Sequence, residues 1–529
     1  MAHNMQFPTH DGKLSTLWSQ MDANKGDLVD RSEQYGMWTI PSITMDVSTQ
    51  SDKEAEKGHV VVGARLVNHL ANRVADTMFP HHRAFVLLKL TPESQLALEK
   101  ETGPDRAAEL ADIVRTSTAR VEEVAMRKLN MTAYRPMAVM AIKHLIISGN
   151  AMIKRLLNGT RIVYGVRDFC IRRDLDGSMR EAILRDNKKF GNLSDAVQAE
   201  LRASGLRDYQ DDTDVVLYSH YKLIGKRWQF QQAADNVMLA EPRWYSKVDM
   251  PLLPLTWSLA RGEDYGRGLV EDNAIAFHNL DVLTAAMIDL MAAIADIKFL
   301  VRTGSTLDVV ALNQAERGTY HQGNEGDITV PEIGKRGDLQ VMMSAIEKWE
   351  RDLSQSFLLN SASTRDAERV TAEEIRLNAR ELESGFGGLY SKLALEWQQH
   401  EGEYAISQVD ISKTLGANAN LFEVIVVTGL ESLSREGQLD ALRLAIADMQ
   451  MLDTVPDELR STINPLMFAS FVFTNRGVKL EQFLYTEEQM AANKKAAMAE
   501  QQALMQAQAG ANVAEHGGKA SVDADQPQQ

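Results

Sequence analysis

Between Gly58 and Phe79 the apolar residues Val62, Leu66, Leu70, Val74 and Met78 recur at every fourth position and Pro80 follows, which predicts one amphipathic helix and its stop. Two more helical stretches, Arg106 to Leu129 and Pro136 to Ile147, precede Gly149, where the texture changes. From Ala151 to Leu259 the pattern turns to short β-rich runs such as Arg161–Val166, Phe169–Arg173, Asp214–Lys222 and Lys226–Gln231. Asp176-Gly177 reads as a hairpin turn, because the glycine reaches the positive φ that tight turns require. A helical piece near Leu193–Ser204 interrupts the strands, so the fold class is α+β, mainly helical, and not a pure sandwich.

From Gly268 to Ile297 there is no Lys or Arg, while Glu271, Asp272, Asp281, Asp289 and Asp296 are present. As one helix this stretch would span about 45 Å, with Asp281, Asp289 and Asp296 within a sector of about 80°. Ala274, Ala285, Ala286, Ala292, Ala293 and Ala295 leave the rest of its surface small enough for a neighbouring helix to approach closely; the alternative is a solvated face of an ordinary long helix. A glycine-rich excursion, Arg302–Gly337, holds a β-like run at Asp327–Val330. Leu339, Met342, Ile346, Trp349, Leu353 and Phe357 then form one helical stripe. Asn360–Arg369 breaks the pattern, and Thr371 with Glu374 makes a capping box for a helix bearing Ile375, Ala379, Leu382, Phe386, Leu389, Leu393 and Trp397 on one face. Gly385, Gly387 and Gly388 predict a bend inside it. A strand is expected at Phe422–Thr428, helices follow in Leu439–Met451 and near Asp457–Phe473, Thr486 and Gln489 cap another, and Gly510–Gln529 is too poor in apolar residues to fold alone.

Composition narrows the function. The 529 residues are 44% hydrophobic and 25% charged, an ordinary globular mixture with room for two to four packed units. The net charge of −16 argues against a protein whose main task is gripping phosphates. A single cysteine, Cys170, excludes an internal disulfide and a multi-thiolate metal site, and points to a reducing compartment. The most apolar stretches are interrupted, Ala138–Ile147 by Lys143 and His144 and Val282–Ile297 by Asp289 and Asp296, so no membrane span is expected. Met1–Asp30 lacks the pattern of a secretory signal.

Catalytic and cofactor chemistry finds little support. The nearest approach to a phosphate-binding loop, Gly58 to Arg65, has Ala64 where the lysine must stand. Gly385 to Gly388 lies inside a helical pattern, where a dinucleotide fingerprint cannot work. Asp174, Asp176 and Gly177 start like a calcium loop, but Arg185 occupies the closing glutamate position. The side chains of His81 and His82 diverge on a helix or a strand, and Cys170 between Phe169 and Ile171 reads as a strand thiol. No catalytic residue, metal or cofactor is expected. In the loop Asn360–Arg369, Ser361, Ser363, Thr364, Arg365 and Arg369 offer small donors and two cations for phosphates; equally, Arg365 and Arg369 could pair with Asp366 and Glu368 on a solvated connector.

Four stretches together carry a family resemblance: Val62–Pro80 (VGARLVNHLANRVADTMFP), Pro254–Asp272 (PLTWSLARGEDYGRGLVED), Leu359–Ser391, and Thr428–Asp440 (TGLESLSREGQLD). The chain resembles the head-to-tail connector, or portal, proteins of short-tailed, podovirus-type bacteriophages from about residue 30 to 490. The resemblance implies an elongated subunit in a ring of about twelve copies at one capsid vertex. By that likeness residues 1–266 form an amino-terminal wing, 267–300 a first stem helix, 301–337 a clip and 338–358 a second stem helix. Residues 359–370 form a channel-facing tunnel loop, 371–430 a wing helix and strand, 431–490 a crown, and 491–529 a barrel helix and disordered tail. The implied partners are double-stranded DNA in the channel, the terminase large subunit, a tail adaptor, and the major capsid, scaffold and internal core proteins. The implied location is the head–tail junction of the virion, after assembly in the host cytoplasm. In such a channel Asp281, Asp289 and Asp296 would face the bore or a subunit seam and repel the DNA, while Ser361, Ser363, Thr364, Arg365 and Arg369 would touch it lightly. The competing expectations are a minor capsid or scaffold protein without a channel, and a packaging-associated nuclease or ATPase.

Overall fold

The computed structural model describes residues 13–45, 59–80, 85, 87–90, 118, 120–295, 299–305, 308–314, 326–329, 336–359, 381–386, 388–409, 424–427, 446, 448, 467–469 and 471–472. The chain divides into two compact units, Met1–Leu433 and Ser434–Gln529. In the second unit the described residues are helical. The expected capping boxes at Thr371 and Thr486, the crown helices beyond isolated turns, and the tail from Gly510 lie outside the described residues.

The core of the first unit is built on the helix Val62–Met78, where the four-residue repeat puts Leu66, Leu70, Val74 and Met78 on one buried face. The helix Tyr134–Ser148 packs on it through Ala138, Ala141, Ile142 and Leu145. It stops at Gly149, whose φ of 75° is left-handed, and a Cβ there would stand 2.3 Å from the Arg267 carbonyl carbon. The close approach is held by Asn150: its Nδ2 donates to Gly266 O and its Oδ1 accepts from Gly266 N, both at 2.7 Å.

The strands confirm the α+β reading and extend it. β1 (Leu87–Leu90) stands apart from the rest in sequence. β2 (Asn150–Arg155), β3 (Arg161–Tyr164) and β9 (Leu252–Thr256) make an antiparallel sheet in the order β3-β2-β9. β4 (Phe169–Arg173), β5 (Met179–Lys189), β6 (Asp214–Ile224), β7 (Arg227–Ala234) and β8 (Val237–Tyr245) form a five-stranded meander. Asp176-Gly177 turns β4 into β5, and the helix Asp195–Ser204 sits between β5 and β6. The helix Leu14–Ala23 covers one face of this sheet, with Leu17, Trp18 and Met21 over Ile183, Ala233 and Cys170. Cys170 is wholly buried, and burial pushes its thiol up to about 11, far from the thiolate a nucleophile needs.

Two long helices follow, Ala274–Ala295 and Arg336–Ser356, joined through a two-stranded hairpin of β10 (Leu300–Val301) and β11 (Ile328–Thr329). The first begins later than the run of acidic residues: Leu269–Asp272 is a separate short turn, so Glu271 and Asp272 lie off the helix. Its segment Ala274–Ile294 is long and apolar enough to cross a membrane, and most of it is uncovered. The aspartates inside it interrupt the apolar run less than the sequence reading required, because alanine, leucine, isoleucine and methionine fill the positions between them.

The predicted helix through Gly385 to Gly388 is broken outright. Gly388 takes φ 90°, and the Glu383 carboxylate accepts from the Ser391 amide at 2.9 Å and its hydroxyl at 2.6 Å to start Leu389–Leu393 afresh. A π-helical turn, Ala394–Gln398, leads into Gln399–Ser407 and seats the fully buried Trp397. β12 (Val424–Val427) pairs antiparallel with β1.

Candidate functional site

The two long helices are rooted in the core at one end. Phe277 stacks on Trp38 with ring centroids 6.2 Å apart and meets Phe357 edge-on at 5.8 Å, and Leu280 and Leu353 are buried beside them. Burial falls away along the pair: Val282, Ile288, Met291 and Ile294 of the first helix and Val341 and Met343 of the second are exposed. The apolar stripe of the second helix shows the same gradient, with Leu353 buried and Leu339 and Met342 partly covered. At the hairpin, Phe299, Leu300, Val309 and Val310 are exposed. A short helix there, Val309–Asn313, is capped by Asp308, whose Oδ1 accepts from the amides of Val310 (3.0 Å) and Ala311 (3.1 Å).

Of the three aspartates Asp281 and Asp289 are described, and they stand in different surroundings. Asp281 Oδ2 accepts from the Trp38 indole at 3.3 Å, and its Oδ1 accepts from the His59 amide at 2.6 Å. It tethers the long helix to the amino-terminal helices, a role that the expectation of a carboxylate facing the bore or a subunit seam did not include. The physical reason is its place one residue after buried Leu280, at the rooted end of the helix. Arg31 likewise holds Glu271 at 2.7 Å. Asp289, two turns on, is exposed, while Asp296 lies outside the described residues.

Ser361, Ser363, Thr364, Arg365 and Arg369 also lie outside the described residues. The elements flanking them are described, and one side chain joins them. Arg73, on the buried helix Val62–Met78, donates through Nη1 to Leu358 O at 3.2 Å and through Nη2 to the Glu381 carboxylate. Leu358 itself is left-handed, with φ 55°. One turn earlier on the same helix, burial and then the charge of Arg73 lower the basicity of His69. The sequence reading singled out none of Trp38, His59, Arg73 or Glu381. Arg73 and Glu381 did stand in two of the stretches that carry the family likeness, which was the only signal available for them.

A cleft of about 1030 Å³ lies near the base of the helices, lined by Arg173, Trp257, Phe386, Lys392 and Glu396 among others. Burial lowers the basicity of Lys392 and raises the Glu396 carboxyl. The Lys392 ammonium donates to Thr256 O at 2.9 Å and Thr256 Oγ1 at 2.8 Å, so its donors hold β9 in place. Among the described residues no group of three or more His, Cys, Asp or Glu side chains is placed to hold a metal ion.

Comparison with known proteins gives a consistent result. The family model for bacteriophage head to tail connecting proteins matches residues 11–410. A portal protein of Enterobacteria phage SP6 is 30% identical over 490 residues, covering 92% of each chain. A portal protein of Escherichia phage T7 is 26% identical, covering 92% of this chain and 91% of that one. Among solved structures, the neck of an empty gene transfer agent particle aligns over 79% of this chain and 90% of that chain at 11% identity; at a TM-score of 0.36 the likeness carries no weight.

Proposed function

This chain belongs to the family of bacteriophage head to tail connecting proteins, and on that premise we propose that its copies close a ring of about twelve at one capsid vertex. DNA enters and leaves the head through the bore of that ring, which docks the terminase motor during packaging and the tail afterwards. Residues 267–300 and 338–358 serve as the stem, 301–337 as the clip and 359–370 as the tunnel loop. The ring sits at the head–tail junction of the virion and works as a conduit and docking platform, without chemistry of its own.

The observation that carries this reading is the long helix Ala274–Ala295. Val282, Ile288, Met291 and Ile294 stand exposed around a helix most of which is uncovered, an amount of exposed apolar side chain that marks an interaction surface. Neighbouring copies in a ring cover it, and the alanines at 285, 286, 292 and 293 let their helices come close. A scaffold protein without a channel has no need of such a rooted, outward-running helix pair. Exposed Asp289 then repels phosphate and keeps the DNA from lodging. The apolar residues Phe299, Leu300, Val309 and Val310 at the hairpin give the docking partners a surface.

The test is the mass and negative-stain image of the purified full chain over a range of salt concentrations. Rings of about eleven to thirteen subunits with a central hole are expected. A chain that stays monomeric at every salt concentration and also fails to enter co-expressed procapsids would overturn the proposal.

A further inference from the structure

We propose that the open end of the five-stranded sheet, around Trp244, is a docking surface for an acidic polypeptide segment that also carries apolar side chains. The proposal stands apart from the ring reading, because it rests on side chains of β6, β7, β8 and the turns beside them. In an antiparallel sheet, residues directly opposite each other and residues two apart share a face. Ile224 stands opposite Arg227, and Trp244 opposite Gln229, so Ile224, Arg227 and Trp244 share one face. Tyr218 of β6 and Ala233 of β7 lie farther along that face, under the helix Leu14–Ala23. At the open end Ile224 is 46% and Trp244 44% exposed. The opposite face there is core, with Trp228 and Tyr245 packed around Tyr221.

The positive charge at this end is not answered within the chain. Lys226, Arg227, Arg243 and Lys247 are exposed and, among the described residues, pair with no carboxylate. Elsewhere in the same sheet Arg172, Arg180, Lys189 and Lys222 each meet one. The Arg227 guanidinium lies instead 5.9 Å from the Trp244 ring centroid, within cation–π range. Asp249, two residues after Lys247, accepts from Ser246 Oγ at 2.6 Å. Unpaired cations gathered around a half-exposed tryptophan are an exception in a chain of net charge −16, and they complement a carboxylate-rich partner. Tryptophan and arginine are also the side chains that contribute most at protein interfaces. A polynucleotide would use the cations and leave Ile224 idle, whereas a segment mixing carboxylates with leucines uses both. Pro242 and the register break between β7 and β8 oppose the addition of a strand at this edge. The partner therefore meets side chains and not a free backbone edge.

The experiment titrates the purified full-length chain into a short fluorescein-labelled peptide of glutamates interspersed with leucines, read by anisotropy. Affinity for the wild type should fall about tenfold between about 0.05 M and 0.3 M salt, because the cations are exposed to screening. Trp244→Ala should weaken binding at least about tenfold, and Lys226→Glu combined with Arg227→Glu by a similar factor. Thermal midpoints report folding; if Trp244→Ala lowers its midpoint, the charge-reversed variant, altered only at exposed positions, decides. A wild type that binds no peptide, or a charge-reversed variant that binds as tightly as the wild type, overturns the proposal. Displacement of the peptide by an equal concentration of duplex DNA overturns it in favour of a nucleic-acid surface. Rings formed by the wild type but lost in the charge-reversed variant, read by mass photometry, overturn it in favour of a seat for another copy of this chain. Weakened peptide binding with ring formation unchanged upholds it. Monomers of wild type and variants alike that show the same loss of peptide binding uphold the docking surface while the ring reading fails.

Discussion

Arg161 and Glu401 meet at 2.6 Å with their side chains 3% and 2% exposed, and Tyr134 and Tyr404 lie beside the guanidinium. The pair links β3 to the helix Gln399–Ser407 across 240 residues of chain. Arg161→Met should lower stability by about 3–5 kcal/mol, because it leaves a buried carboxylate uncompensated. Removing both charges together, as in Arg161→Met with Glu401→Leu, should recover most of that loss in denaturant unfolding. His144 titrates by a different route. Burial lowers its pKa to about 4, so the folded state binds its proton later than the unfolded chain does. Its contribution is therefore complete above the unfolded value near 6.5 and is lost as pH falls toward 4, a total on the order of 3 kcal/mol. Unfolding curves of wild type and His144→Leu measured from pH 7 to pH 4 should converge in slope for the variant and fall away for the wild type.

At the scale of elements, the long helix Ala274–Ala295 separates a structural carboxylate from a free one. Asp281→Ala should cost about 1–2 kcal/mol in stability, since the Trp38 indole and the His59 amide lose their acceptor. Asp289→Asn should leave stability within about 0.5 kcal/mol and act only on DNA transit, read as packaged DNA and ejection rate. The sequence displayed both aspartates on one side of a helix, and that periodicity is sound. It could not display that the helix is rooted against Trp38 and Phe357, because those partners lie far away in the chain. Local signals fared best where local physics decides. The four-residue repeat of Val62–Met78, the turn at Asp176-Gly177 and the start of the second long helix were all legible. The glycine cluster at 385–388 announced an irregularity, but whether it bends or breaks the helix depends on Glu383 reaching Ser391. The tie made by Arg73 joins three separated stretches and leaves no periodic trace at all.

For the whole molecule, charge becomes a collective quantity. At −16 per chain, the proposed ring of about twelve would carry roughly −190, and its subunits would assemble against mutual repulsion. Raising ionic strength from about 0.05 M to 0.3 M should increase the ring fraction in solution, since screening shortens to about 10 Å near 0.1 M. Mass photometry of the purified chain reads this directly, and a falling ring fraction would mean that ion pairs between subunits dominate. Family membership was legible from four dispersed stretches, while the tertiary pairing of the strands was not. β1 pairs with β12, Leu87 opposite Val427 and Leu90 opposite Val424. Among the described residues the strand partner of Leu87–Leu90 is β12 alone, so this pairing must wait until on the order of 340 further residues have been made. At bacterial elongation speeds that is a delay of roughly 15 to 70 s, during which an apolar edge stands open to chaperones and to other nascent chains.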